Sequence, residues 1–485
     1  MWSLLSLAWA QPCGTLTFFE DTALRTRTQF PVPPPSSEKL SRDVYQLPNV
    51  LFSENFALHW GSELSFSESE ATIVLEEFER SWTYEVQEMQ YPAPLGSDGH
   101  YFNVYLGDSG NGAPSSYGNA GYYTVDDDGW PMIVIDYQSI VTADSFSVIP
   151  HEFFHAVQHA CDSYDYEAKA AWYWEASAVW IESMVYPQDP NYAAFLFGFA
   201  FLPHKSLGFF DYFDSGALQE YYQYGAFIFP RYLTDYHVDD FVVRDSWVNA
   251  RNAEEPLAWF ESYFADQGQD FDEILIDFAA RNTHWDYPHQ NWYTYYLDYY
   301  TEYYPSDDYS ITQGIHSSGT VGFAEVSRAL LPERYGVNYL RMNGSNMDSI
   351  QIDIEGESSG DAGSIARWHA TVVREQDGSI AYQTVPFEEH RGSLLLSDVY
   401  PTETITLVVM PSSETWEWGE SFSYRYSFSE PVSNTEESDP EEIPKQACSS
   451  VPIFELTLWC VPLVLYRQRQ KKGSDSSNPA RPLQR

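Results

Sequence analysis

Across 485 residues the chain sets 25 Lys and Arg against 71 Asp and Glu, a formal charge of −46, while 44% of its residues are hydrophobic and 17% aromatic. That length suits two or three domains of ordinary size, and the apolar fraction excludes wholesale disorder. So negative a surface repels phosphate backbones, which argues against nucleic acid as a partner.

The acidity reads chiefly as a solvated surface for a salty medium, with Asp126, Asp127 and Asp128 as candidate Ca²⁺ ligands. The cysteines, Cys13, Cys161, Cys448 and Cys460, show no C-x-x-C spacing and carry no metal signature. Residues 2–10, WSLLSLAWA, form a short apolar run ending in a small-x-small pattern that fits signal-peptidase cleavage before Gln11. Residues 1–10 therefore read as a signal peptide and the protein as exported. The run lacks a basic lead, so an upstream start or a buried N-terminal segment stands as the alternative. Residues 11–50 read as an irregular lead-in through the Pro/Ser-rich stretch 31–37, and a propeptide role for them stays open.

Residues 54–61 alternate as a strand. Ser67 and Glu70 then make a capping box ahead of Leu75, Phe78, Trp82, Val86 and Met89, a helical stripe. Two more strand-like runs, 101–107 and 131–137, flank a Gly/Ser/Asn-rich loop. From residue 146 the pattern turns helical, over 146–162, 171–186, 217–235 and 270–282, and Pro230 is expected to kink the third segment. Strands followed by helices predict an α+β domain over 51–300. Beyond about residue 330 the period changes to two with turns at close intervals, which predicts a C-terminal β-sandwich domain over 301–430. Residues 431–447 are acidic and Pro/Ser-rich and read as a disordered linker. In 448–485, Cys448 precedes an apolar run, Val451–Tyr466, and then Arg467, Arg469, Lys471 and Lys472. Apolar followed by basic is the order of a membrane-stop segment, although this run is short for a span and holds two prolines and Glu455.

The chemistry concentrates at His151-Glu152-Phe153-Phe154-His155. This is the H-E-x-x-H pattern, and a helix puts both histidines on one face, one turn apart, where two imidazoles can bind one Zn²⁺. Glu152 then sits beside the metal, placed to take a proton from a zinc-activated water and hand it to the departing amine. His159 continues the spacing but lies about 12 Å along the axis from His151, too far to share one ion with it. Glu175 is the better third ligand, because the intervening 19 residues allow a turn and a second helix that returns a carboxylate to the metal. Glu182, seven residues on, shares its face and could orient a ligand histidine, or be an ordinary solvated glutamate. Trp172, Trp174 and Trp180 read as core. Tyr224 could donate a hydrogen bond to the oxyanion of a tetrahedral intermediate, against the plainer reading of a packed tyrosine.

The segments HEFFHAVQ (151–158), WEASAVWIE (174–182) and YGAFIFPRYL (224–233) resemble a group of exported metallopeptidase-like proteins from myxobacteria and related Gram-negative bacteria, which is similar to the gluzincin zinc peptidases. The resemblance implies a zincin-like fold, zinc-ligand roles for His151, His155 and Glu175 and a general-base role for Glu152. It matches Ala178 to the small residue of the E-x-x-A form and Tyr224 by order along the chain. Val179 stands where thermolysin-like gluzincins have an aspartate that orients a ligand histidine. The tail resembles the C-terminal sorting signals of the same bacteria. The expectation is a secreted or surface zinc endopeptidase acting on protein or peptide, exported by a Gram-negative bacterium and associated with a membrane through 448–485. The rival expectation is a non-catalytic surface adhesion or binding protein with a structural zinc or none.

Overall fold

Parallel strands covered on both faces need continuous apolar runs, and Phe102–Gly107 (β3) and Pro131–Asp136 (β5) supply them, buried almost throughout. They stand at the centre of a five-stranded mixed sheet with Asn49–Phe52 (β1), Phe56–Trp60 (β2) and Gly121–Val125 (β4), in the order β1-β2-β3-β5-β4. β2, β3 and β5 run parallel, and β1 and β4 pair antiparallel at the two edges. The computed structural model describes residues 39–141, 146–164, 169–212, 216–237, 241–250, 255–303, 315–317, 321–343 and 348–430. The expected signal peptide, most of the lead-in, the acidic linker and the sorting tail lie outside them.

One face of the sheet packs Phe56, Leu58, Val104, Tyr123 and Ile133 into the main core against helices, and the other holds a small cluster of Leu47, Tyr105, Tyr122, Met132 and Val134. Helix α1 (Glu68–Trp82) opens with the expected capping box, in which the Glu70 amide donates to the Ser67 hydroxyl and the Ser67 amide to the Glu70 carboxylate. Past Trp82 it widens into a π-helical turn, Thr83–Glu88, closed by Met89 N–H to Tyr84 O at 2.8 Å. The wider turn buries Glu85 fully and leaves Val86, expected on the apolar stripe, only half-buried.

Helix α2 (Val148–Cys161) follows the sheet and ends where Asp162 takes φ 56°. Helix α3 (Ala171–Val185) is apolar on every side and accordingly central, buried from Ala171 to Ser183. The segment expected as one helix over 217–235 is instead a string of short pieces: Leu218–Tyr221, Tyr222–Gly225, Ile228–Tyr232 and a π turn at Leu233–His237. Pro230 has no N–H to offer the ladder. Gly225 lies so near its neighbours that a Cβ there would come 2.6 Å from Phe199 N and 2.7 Å from Phe195 O. Helix α4 (Phe271–Arg281) is capped by Asp270.

The C-terminal strands form two five-stranded sheets around one core of Leu340, Ile352, Val372, Leu407 and Phe428. One sheet joins Ser379–Thr384 (β11), Arg367–Gln376 (β10), Thr404–Ser412 (β14), Asn338–Asn343 (β8) and Ile315–Ser317 (β6) in that order. The other joins Phe387–Glu388 (β12), Arg391–Ser397 (β13), Ser349–Gly356 (β9), Tyr424–Ser429 (β15) and Val321–Glu325 (β7). The first sheet turns Tyr339, Val373, Val408 and Met410 outward into the main core, and the Tyr339 hydroxyl donates to Ala279 O on α4 at 3.1 Å. The architecture is α+β, with helical and strand regions sharing one core.

Candidate metal centre

The helical period sets His151 and His155 on one face of α2, with ring centroids 4.9 Å apart. α3 packs against that face and brings Glu175 between them. Its Oε2 lies 3.2 Å from His151 Nε2 and its Oε1 3.7 Å from His155 Nε2. One ligand atom from each of the three lies within 4.8 Å of the others, and among the described residues this is the group that can hold a metal ion. It is closed off, with 4% exposure at His151 and none at His155 or Glu175.

Both imidazoles are held from behind. His151 Nδ1 lies 2.7 Å from Glu182 Oε1, so Glu182 is the orienting carboxylate, two turns along α3 from Glu175. His155 Nδ1 lies 2.7 Å from Gln158 Oε1, and the Gln158 amide donates to Trp174 O at 2.9 Å and Ser177 Oγ at 3.0 Å. That amide can therefore only accept from the ring, which puts the His155 proton on Nδ1 and the lone pair on Nε2, toward Glu175. Burial, helped by the neighbouring His151, holds His155 well below the usual histidine range. Burial raises Glu175 and Glu182, against the pull of His151 on each. Two imidazoles and a buried carboxylate form a donor set that can gain from a cation.

Glu152 is fully buried on the next face of α2 and does not join the ligand group. It lies against the start of β4, where a Cβ on Gly121 would stand 3.0 Å from Glu152 Cγ. Tyr224, fully buried, comes to the same place, its ring 6.3 Å from that of His151 and inclined by 27°, and it stacks on Phe195 at 5.3 Å. His159 turns away and shares a 2.6 Å hydrogen bond with the Tyr123 hydroxyl. Trp172, Trp174 and Trp180 are core residues, and Trp174 packs on Trp247 at 5.2 Å. At the acidic loop the cation is Arg42. Its guanidinium pairs with Asp126 at 3.3 Å and Asp128 at 3.0 Å and lies over the Trp130 ring, so two of the three carboxylates read as calcium ligands are bridged by an arginine.

Sequence reasoning missed Gln158, Gly121 and Glu85. Gln158 lies three residues past His155, a helical neighbour that carried a signal. Gly121 and Glu85 depend on which elements meet. Burial pushes the Glu85 carboxyl well above the usual carboxylate range, against the pull of His151.

A model of the family of unknown function DUF6055 matches residues 35–439. No curated protein matches the chain. Among solved structures, a family GH115 4-O-methyl-α-glucuronidase with specificity for decorated arabinogalactans is similar over 61% of this chain and 40% of its own, at 8% identity and a TM-score of 0.15. The chain thus spans about 40% of that structure's length, and the likeness carries no argument.

Proposed function

We propose that this chain, which belongs to DUF6055, a family of unknown function, is a zinc-dependent endopeptidase with a zincin-like catalytic region. The observation that carries the reading is the buried group of His151, His155 and Glu175 with Glu152 on the same helical turn. The three would hold Zn²⁺, since two imidazoles and one carboxylate suit zinc better than an all-oxygen site would. When bound, such an ion acidifies water and polarises a carbonyl.

The remaining chemistry belongs to the chain's own residues. Glu152 takes the proton of the attacking water and passes it to the leaving amine. Glu152 is seated against Gly121 of β4, the edge strand, and in this reading an extended peptide adds along that strand by main-chain hydrogen bonds. Tyr224 donates its phenolic hydrogen to the oxyanion. Glu182 and Gln158 keep the imidazoles turned to Glu175. In the same reading the protein is exported to the cell surface or medium of a Gram-negative bacterium, and segment 448–485 associates it with a membrane, transiently or permanently.

Zinc content and hydrolysis of a mixed peptide library, measured for wild type and Glu152→Gln, test the proposal. The variant should keep its zinc and lose about 10²- to 10⁴-fold in rate, the usual contribution of a positioned acid/base. Equal rates in both proteins would overturn the reading, and absence of both zinc and hydrolysis in the wild type would favour a surface binding protein.

A further inference from the structure

The hydrogen bond that holds His155 from behind continues into a part of the core that the mechanism above leaves unused. Trp247, on the helix Phe241–Val248, is fully buried and packs on both α2 and α3, with ring centroids 6.4 Å from Phe154, 5.5 Å from Tyr173 and 5.2 Å from Trp174. Its indole N–H donates to Ser177 Oγ at 3.1 Å, and the Gln158 amide donates to the same oxygen at 3.0 Å. Ser177 in turn donates its one proton to Tyr173 O, four residues back along α3. Trp247, Ser177, Gln158 and His155 thus form one chain of hydrogen bonds that reaches from a third helix to a ligand ring.

Donor and acceptor capacity fixes the direction of each link. A serine hydroxyl has one proton and two lone pairs. The proton of Ser177 goes to Tyr173 O and one lone pair takes the indole N–H, so toward Gln158 the hydroxyl can only accept. The other partner of the Gln158 amide, Trp174 O, is a carbonyl and can only accept as well. Turned over, the amide would set its oxygen against both acceptors with no proton between them. It would also donate to His155 Nδ1 and so move the ring proton to Nε2, the nitrogen that faces Glu175. That competing state is near at hand, since His155 Nε2 lies 3.7 Å from Glu175 Oε1, and a ring protonated there has no lone pair for a metal.

We propose that Ser177 and Trp247 are positioning residues of the metal centre which, acting through Gln158, keep the His155 proton on Nδ1 and its Nε2 lone pair open to a divalent cation. The inference rests on the metal-centre reading and extends it to a residue on a separate helix.

The test is zinc titration against a chromophoric chelator for the full chain, in wild type, Ser177→Ala, Trp247→Phe and Tyr173→Phe, with ring ¹⁵N spectra of the metal-free proteins. Tyr173→Phe is the control. It removes a buried hydroxyl that shares a 2.7 Å hydrogen bond with Ser246 Oγ, from a ring stacked on Trp247, and leaves every link to His155 in place. Metal-free wild type should carry the His155 proton on Nδ1, and Ser177→Ala and Trp247→Phe should each show a share of the Nε2 form. Zinc affinity should fall about three- to tenfold in these two variants, the worth of one buried hydrogen bond, and stay at the wild-type level in Tyr173→Phe. A wild-type ring protonated at Nε2 would overturn the inference, and this spectrum decides even where a variant fails to fold. Zinc affinity within about twofold of wild type in both variants would overturn it too, as would an equal loss in Tyr173→Phe, which marks a general weakening of the core. A wild type that carries the Nδ1 proton but takes up zinc no better than His151→Ala would instead sink the metal-centre reading.

Discussion

At the scale of single residues the centre depends on which side chains reach between the two imidazoles. Glu175 does, within 3.2 Å of one and 3.7 Å of the other, and His159 does not, being engaged with Tyr123. Glu175→Ala should therefore lower zinc affinity by more than about a hundredfold, beyond what loss of an outer partner costs. His159→Ala should leave zinc affinity unchanged and cost about 1 kcal/mol of stability for the lost hydrogen bond. Competition titration and denaturant unfolding of the two variants check this, and the reverse order of zinc affinities would refute the ligand assignment. Much of this was legible beforehand. The i, i+4 spacing pairs His151 with His155, and seven residues along one helix put Glu182 on the face of Glu175. Gln158 was within reach of the same periodicity.

Among the elements, β4 is the one that the sequence concealed and the proposed chemistry needs. Gly121–Val125 lies between Gly-, Asn- and Asp-rich punctuation and is too short for its alternation to stand out, so it reads as loop, whereas β3 and β5 announce themselves by unbroken apolar runs. The helices α2 and α3 were equally plain. The segment around Tyr224 reads in sequence as one helix because its apolar content is continuous, whereas Pro230 and the close approach at Gly225 divide it. The contact between β4 and α2 yields a test. In Gly121→Ala the added methyl would stand 3.0 Å from Glu152 Cγ and 3.2 Å from Val134 O, so Glu152 has to give by a few tenths of an ångström. Zinc content should stay at the wild-type level, because Glu152 is no ligand, while kcat falls by about tenfold through misplacement of the general base. Gly322→Ala, whose added carbon meets nothing within 4 Å, is the control and should be neutral in both measurements. An unchanged kcat in Gly121→Ala would separate Glu152 from the chemistry.

For the whole molecule the sequence places a domain boundary near residue 300, ahead of the change in hydrophobic period beyond about residue 330. Secondary structure does change there, from a helix ending at Tyr303 to strands from Ile315, yet the outer face of the β8–β10–β14 sheet is built into the main core with α4. A period tells which face of a strand is apolar and cannot tell whether the second face is also covered, which is why the shared core was illegible. Charge is the other property of the whole chain. Pairing all 25 Lys and Arg would still leave 46 carboxylates unmatched. Some of the pairs are sheltered, such as Arg334 with Glu255 at 2.8 Å, where the arginine side chain is 4% exposed, and salt screens these least. Screening therefore removes more repulsion than attraction. The Debye length falls from about 10 Å at 0.1 M to about 3 Å at 1 M, and because it shrinks with the square root of ionic strength, most of the change comes early. The melting temperature should rise with NaCl, steeply below about 0.5 M and slowly above it. A rise that is linear up to 2 M would point to a general salt effect on hydration rather than screening. A melting temperature that is flat or falling below 0.5 M would show that self-repulsion is not what limits the stability of this fold.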